Sequence, residues 1–292
     1  MVEWISVAGG VVLVVIGLND VFHTLFHPAG QGRLSTLLVK VPWRLTQRLR
    51  RRPGRIAGPA GIVLVVLSWM LLQALGWALI YLPYVPGGFS YSPGISPGRY
   101  PDFAEALYIS LVTLATLGFG DVVAVSPVLR VVSPLQAVTG FMLLTAAVTW
   151  LNQLYPTLSR GRALARRLAL LRRSGYLDSL ADADSSSATL LQELAAQVTQ
   201  VRVDLGQNAE VYYFTETDSA SCLPLSLQHA RELALRAQES AVASAVAAGA
   251  ALEEAVADFA DLVGTQFLPD SGEGAEAVLE AAVVDHGCRS RP

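Results

Sequence analysis

Three stretches of the chain stay apolar long enough to cross a bilayer, which takes about 20 mostly apolar residues. Gly58 to Leu82 reads GPAGIVLVVLSWMLLQALGWALIYL, 25 residues without a charge, and predicts a membrane helix. A second uncharged run begins after Arg130 and ends at Arg160; it predicts another helix over 131–155, with its apolar body at 131–151. The N-terminal stretch is apolar from Trp4 through Leu18, then polar at Asn19, Asp20, His23 and His27, and predicts a third membrane helix within residues 1–27. Its leading residues hold Glu3 and no Lys or Arg, which argues against a cleaved leader peptide. Between the runs at 58–82 and 131–155 the chain turns apolar again at Asp102–Ala115, DFAEALYISLVTLA. Asp102 reads as its N-cap, with Glu105 three residues on in a capping-box arrangement. Such a helix rises only about 20 Å at 1.5 Å per residue, too short to span. It must enter the membrane and return, followed by TLGFGD, Thr116–Asp121.

The rest of the chain reads as helical and acidic. Leu191, Leu194, Val198, Val201 and Leu205 step by 3, 4, 3, 4, which fits either a short coiled-coil seam or one face of a packed helix. Thr189 with Gln192 offers its capping box, VYYF at 211–214 a short buried strand or turn, and 224–263 a pair of Ala-rich helices. A loop at 269–274 precedes a last helix. The expected fold class is an all-α membrane protein: an N-terminal membrane helix (1–27), a basic linker (28–57), a membrane module (58–155) and an acidic helical domain (156–292).

Composition sharpens this division. The chain is 52% hydrophobic and only 15% charged, against about 25% charged in a typical globular protein. Residues 1–176 hold 16 Lys+Arg and 5 Asp+Glu, a balance of +11; residues 177–292 hold 5 and 19, a balance of −14. Basic residues next to membrane helices stay in the cytoplasm. Arg33, Lys40, Arg44, Arg48, Arg50, Arg51, Arg52 and Arg55 put the 28–57 linker there, and Arg160, Arg162, Arg166, Arg167, Arg172 and Arg173 do the same for the segment after the last span. The Pro- and Gly-rich 83–101 segment is then extracellular, as is the N-terminus, and the C-terminus is cytoplasmic in a prokaryotic plasma membrane. Cys222 and Cys288 are too few for a disulfide framework and lack metal-ligand spacing.

TLGFGD carries a specific chemistry. A dehydrated monovalent cation needs about eight oxygens in place of its water, and rings of backbone carbonyls from four symmetric loops provide them. Pointing successive carbonyls one way requires alternate left-handed residues, which glycine adopts without steric cost. Gly118 and Gly120 have that spacing. The preceding half-helix turns the negative end of its dipole toward the returning chain, which favours a cation.

Outer helix (58–82), re-entrant pore helix (102–115), T-x-G-[YF]-G-D filter (116–121) and inner helix (131–155) together resemble the potassium-channel pore family. The resemblance covers about Gly58 to Tyr155. It implies that Thr116, Leu117, Gly118 and Phe119 supply the coordinating carbonyls, with Thr113, Gly120, Asp121 and Tyr108 as filter support. It also implies a hinge at Gly140, nineteen residues after Asp121; close helix packing is the other reading of that glycine. Leu117 departs from the commoner Val or Ile and Phe119 from Tyr. Tyr108 and Ile109 stand where paired tryptophans often occur, and Val112 leaves Asp121 without a carboxylate partner. Phe141, Leu144, Thr145 and Val148 share one face and line the cavity, or else form a lipid-facing stripe. One loop per chain requires a homotetramer.

The other constellations are less specific. Trp4–Leu18 holds no basic residue, so a voltage sensor is not expected. Asp20, His23 and His27 recur on one helix face as a metal or proton site, with His23 and His27 as ligands, or as an interfacial polar collar. Leu34, Leu38, Val41, Leu45 and Leu49 oppose Lys40, Arg44 and Arg48, either as an amphipathic helix on an anionic inner leaflet, interrupted by Pro42, or as a solvated linker. Asp182, Asp184, Ser186 and Glu193 imitate a calcium loop without its glycine. His229 and His286 have no nucleophile or metal motif beside them, so no enzyme is expected. No nucleic-acid partner and no cofactor are expected either, K+ being the permeant ion. The reading is a potassium-selective channel; a weakly selective cation channel and a membrane-anchored scaffold with a silent pore are the alternatives.

Overall fold

The computed structural model describes residues 2–26, 33–48, 57–180, 185–216 and 218–288. The chain divides into two compact units, 1–38 with 62–152, and 39–61 with 153–292.

The first unit is built on three helices long and apolar enough to cross a membrane: α1 (Val2–Phe26), α3 (Ala57–Tyr81) and the first half of α5 (Pro127–Arg173). α1 and α3 run antiparallel, with Gly10 opposite Gly76 and Gly17 opposite Gln73. A Cβ on Gly10 would lie 2.4 Å from the Gly76 carbonyl oxygen, so only glycine permits this approach. The Gln73 side chain donates to the Val14 carbonyl at 2.9 Å. The short helix α4 (Asp102–Leu114) is fixed by buried polar groups that lipid would leave unsatisfied. Ser110 Oγ donates to the Ala74 carbonyl at 2.8 Å, Gln136 Nε2 donates to the Ser110 carbonyl at 2.9 Å, and Tyr81 Oη donates to Gln136 Oε1 at 2.6 Å. Ser110, Gln136 and Tyr81 are fully buried and tie α3, α4 and α5 together. Tyr81 also belongs to an apolar cluster with Trp77, Phe89, Ala106, Ile109 and Leu129. Strands β1 (Phe89–Tyr91) and β2 (Val122–Ala124) pair antiparallel and bracket TLGFGD.

The second unit is a helical bundle of the later part of α5 with α6 (Tyr176–Ser179), α7 (Ser185–Gln207), α8 (Leu223–Gln238), α9 (Ala243–Gln266) and α10 (Ala275–Asp285). The Leu191, Leu194, Val198, Val201 and Leu205 seam is wholly buried inside it, with α9 as the main neighbour of α7. The seam therefore serves the fold of this unit. Four arginines of α5 meet acids of the bundle: Arg160 forks Asp204 at 2.5 and 2.8 Å, Arg162 meets Glu216 at 2.6 Å, Arg166 meets Asp218 at 3.1 Å and Arg167 meets Glu193 at 2.6 Å. Asp204 is buried, so its bidentate pair is the one with energetic weight.

Several boundaries differ from the sequence expectation. The last span does not stop at 155 but continues unbroken to Arg173, about 70 Å in all, because Leu, Ala and Arg keep helix propensity after hydropathy falls. Pro42 lies inside an uninterrupted α2 (Arg33–Arg48). Val39 and Trp43 on either side are buried, and this packing offsets the lost backbone bond. The buried face of α2 is Ser35, Val39 and Trp43, while Leu37 and Val41 of the other face are exposed. Pro101, not Asp102, is the N-cap of α4; its carbonyl accepts from Ala104 and Glu105, leaving Asp102 in the first turn, where its charge suits the dipole. α7 begins at Ser185, a turn before the expected Thr189 cap, and Val211–Tyr213 of VYYF fall in a 3-10 turn, Ala209–Tyr213, which Phe214 caps. The two cysteines are bonded to each other. Asp182 and Asp184 lie outside the described residues.

Candidate functional site

α4 ends at Leu114, and TLGFGD returns as irregular backbone. Thr116 N–H still bonds the Thr113 carbonyl and Leu117 N–H the Val112 carbonyl, both at 3.0 Å, so the turn is anchored on the helix it leaves. From there the backbone alternates: Thr116, Gly118 and Gly120 have φ of 56°, 53° and 75°. The sequence expected the two glycines in this conformation; Thr116 joins them although a β-branched residue is strained there.

The carbonyls divide into two groups. Those of Gly120 and Asp121 accept from Ser92, from its hydroxyl at 3.3 Å and its N–H at 2.9 Å. Those of Thr116, Leu117, Gly118 and Phe119 accept no hydrogen bond among the described residues. Four successive carbonyls on an alternating backbone are thus left for another donor or a cation. Leu117 and Phe119 expose their side chains.

Asp121 is held from both sides. Tyr108 Oη donates to one carboxylate oxygen, and the N–H of Val122 donates to the other at 3.0 Å. Tyr108 thereby supplies the partner that Val112 cannot. Gln136, Ser110 and Ser92 were not singled out by sequence reasoning. A lone glutamine in an apolar run is the signal for the first; nothing local marks the serines.

A family described as "Ion channel" matches residues 64–155. The match makes these residues similar to that family and leaves the rest of the chain unmatched. The chain is also similar to the uncharacterized membrane protein YdjJ of Bacillus subtilis (strain 168), 24% identical over 173 residues that make up 58% of this chain and 50% of that protein. It is 33% identical to Protein LctB of Bacillus caldotenax over 89 residues, 29% of this chain and 66% of that protein. The chain thus covers half of one relative and just under two thirds of the other. No solved structure matches it.

Within the matched residues, Gly140 lies on the end of α4. A Cβ there would stand 1.9 Å from the Leu114 carbonyl oxygen, so the glycine is required by close packing of α5 on α4. Phe141, Leu144, Thr145 and Val148 are exposed along one face of α5, and Thr145 Oγ donates to the Phe141 carbonyl at 3.0 Å.

In α1 the suspected metal face is used otherwise. Asp20 is buried and accepts from Ser35 Oγ at 2.6 Å and Trp69 Nε1 at 2.8 Å, while Thr24 Oγ lies 3.1 Å from Ser35 Oγ. His23 is half-buried at the edge of the Phe22 ring, and His27 lies outside the described residues. Among the described residues no group of three His, Cys, Asp or Glu side chains is placed to hold a metal.

Proposed function

We propose that the chain is one subunit of a homotetrameric, potassium-selective channel of a prokaryotic plasma membrane. The observation that carries this reading is the run of four unclaimed carbonyls, Thr116 to Phe119, on a backbone that alternates at Thr116, Gly118 and Gly120. Four such loops around an axis stack rings of oxygens that replace the hydration shell of K+. Thr113, Tyr108, Gly120 and Asp121 support the filter; the Tyr108–Asp121 bond holds it from the pore-helix side. Phe141, Leu144, Thr145 and Val148 line the cavity below, which is consistent with their exposure in a single chain. Gly140 permits the pore and inner helices to touch, and it takes up any hinge motion of α5 at the same place.

The basic residues flanking the spans set the linker and the C-terminal unit in the cytoplasm, against an anionic inner leaflet. The N-terminal span carries no basic residue over Trp4–Leu18, so it is not expected to act as a voltage sensor. A second reading, a weakly selective cation channel, draws on Phe119, which has no hydroxyl to brace the filter from its own side chain.

The test is a liposome flux assay of the purified protein with K+ against Na+ gradients and Ba2+ as blocker. Selective, barium-sensitive K+ flux from a tetramer is expected. Equal Na+ flux would select the weakly selective reading, and a monomeric or dimeric protein in detergent and in lipid would overturn the pore.

A further inference from the structure

The chain has two cysteines, and the fold brings them together across 66 residues, with their Cα atoms 6.3 Å apart in a disulfide. Each is positioned by backbone bonds that do not depend on the sulfurs. Cys222 is the N-cap of α8, 2% exposed, and its carbonyl accepts from Ser226 N–H at 3.1 Å. Cys288 follows α10 in a Schellman turn: Gly287 is left-handed at φ 64°, Gly287 N–H bonds the Val284 carbonyl and Cys288 N–H the Val283 carbonyl, each at 3.0 Å. Two sulfurs held in this way stay neighbours when the bond between them opens. Cys288 is partly exposed, and both cysteines line a cavity of about 80 Å³ in the bundle.

We propose that Cys222 and Cys288 form a reversible thiol–disulfide site, opened and re-formed by thiols of the cytoplasm. The proposal rests on the cytoplasmic placement of the C-terminal unit given above. Cytoplasmic thiol pools keep most cysteines reduced, and a disulfide found there is usually transient or redox-sensing. The exchange runs in two steps. A thiolate of a low-mass thiol or dithiol protein attacks Sγ of the accessible Cys288, the S–S bond breaks, and Cys222 leaves as a thiolate that takes up a proton. A second external thiol then attacks the mixed disulfide and frees Cys288. The protein gains two electrons and two protons, and the external pair becomes a disulfide; oxidation is the reverse.

Opening the bond releases the end of α10 from the start of α8. That end carries His286, whose ring lies 4.7 Å from Tyr212 and 5.7 Å from Trp43, and Asp285, which accepts from Tyr212 Oη at 2.7 Å. The reduced protein keeps this cluster without its covalent strap.

The experiment traps thiols in intact cells with acid and a permeant maleimide, before and after a pulse of a disulfide-forming oxidant. Two adducts per chain are expected before the pulse, none after it, and two again on recovery. No adducts in untreated cells would make the bond permanent; two adducts throughout would mean that it does not form. Either result overturns the proposal. A membrane-impermeant maleimide that labels intact cells would instead overturn the topology, and the choice of reductant with it. On the purified full chain, hydrogen exchange over 275–288 is expected to rise several-fold on reduction, and Cys288→Ser to show the high rate under both conditions. Equal exchange in oxidised and reduced wild type would overturn the strap.

Discussion

At the scale of single residues, the proposed filter stands on backbone conformation more than on side chains. Gly118 has φ 53° and open space around a would-be Cβ, so Gly118→Ala meets no clash within the chain. It meets only the penalty of a left-handed alanine, about 1–2 kcal/mol, repeated in each subunit. K+ flux is expected to be lost while the tetramer persists on a native gel; unchanged flux would refute the filter assignment. Tyr108 acts differently, through one hydroxyl on Asp121. Tyr108→Phe keeps the ring and deletes the bond, so the filter is expected to depend on its ions: flux falls several-fold in low K+ and recovers in high K+. A uniform fall at all K+ concentrations would place Tyr108 in the general packing instead.

At the scale of elements, α3 and α5 hold the short helix α4 in place, and the contact is glycine-tight at Gly140. An alanine there needs more than 1 Å of separation from the Leu114 carbonyl, given the 1.9 Å approach. Gly140→Ala is therefore expected to lower the melting temperature of the channel as well as its flux. A hinge acting alone would change open probability and leave stability intact. Gly9→Ala, with no neighbour within 4 Å, is the matched control and should change neither. The long elements were legible because their signals are local: three apolar runs, a short apolar run between them, and two glycines at i and i+2. The contacts that fix them were not. Gln136 bonds Ser110 across 26 residues, Tyr108 bonds Asp121 across 13, and Cys222 joins Cys288 across 66. No periodicity encodes such partners. The full extent of α5 is hidden for a related reason: hydropathy ends near 155, but helix propensity does not, and the acids that pair with its arginines come from 26 to 54 residues away.

At the scale of the whole molecule, the contrast between a basic N-terminal part and an acidic C-terminal part was plain in the sequence; the packing of two titratable groups in the acidic part, buried Glu210 and half-buried His286, was not. Glu210 is 3% exposed in the turn after α7, and burial pushes its carboxyl from 4.5 up to about 7, with Tyr213 as the titratable neighbour on its own turn. His286, packed on Tyr212 and Trp43, is pushed by burial from 6.5 down to about 4. Between pH 4.5 and 7 the unfolded chain has released the Glu210 proton and the folded chain keeps it, so stability falls as pH rises. Between pH 4 and 6.5 the unfolded chain holds a proton on His286 that the folded chain does not, so stability rises with pH. Each effect has a limiting slope of about 1.4 kcal/mol per pH unit, and over pH 4.5 to 6.5 the two oppose each other. Glu210→Gln removes the falling contribution, so its urea midpoint is expected to climb from pH 4.5 to 6.5 relative to wild type. His286→Gln removes the rising one, so its midpoint is expected to drop over the same interval. Parallel curves for all three proteins would mean that neither group carries its charge penalty into the fold, whereas opposite tilts would locate both in the bundle whose end the disulfide closes.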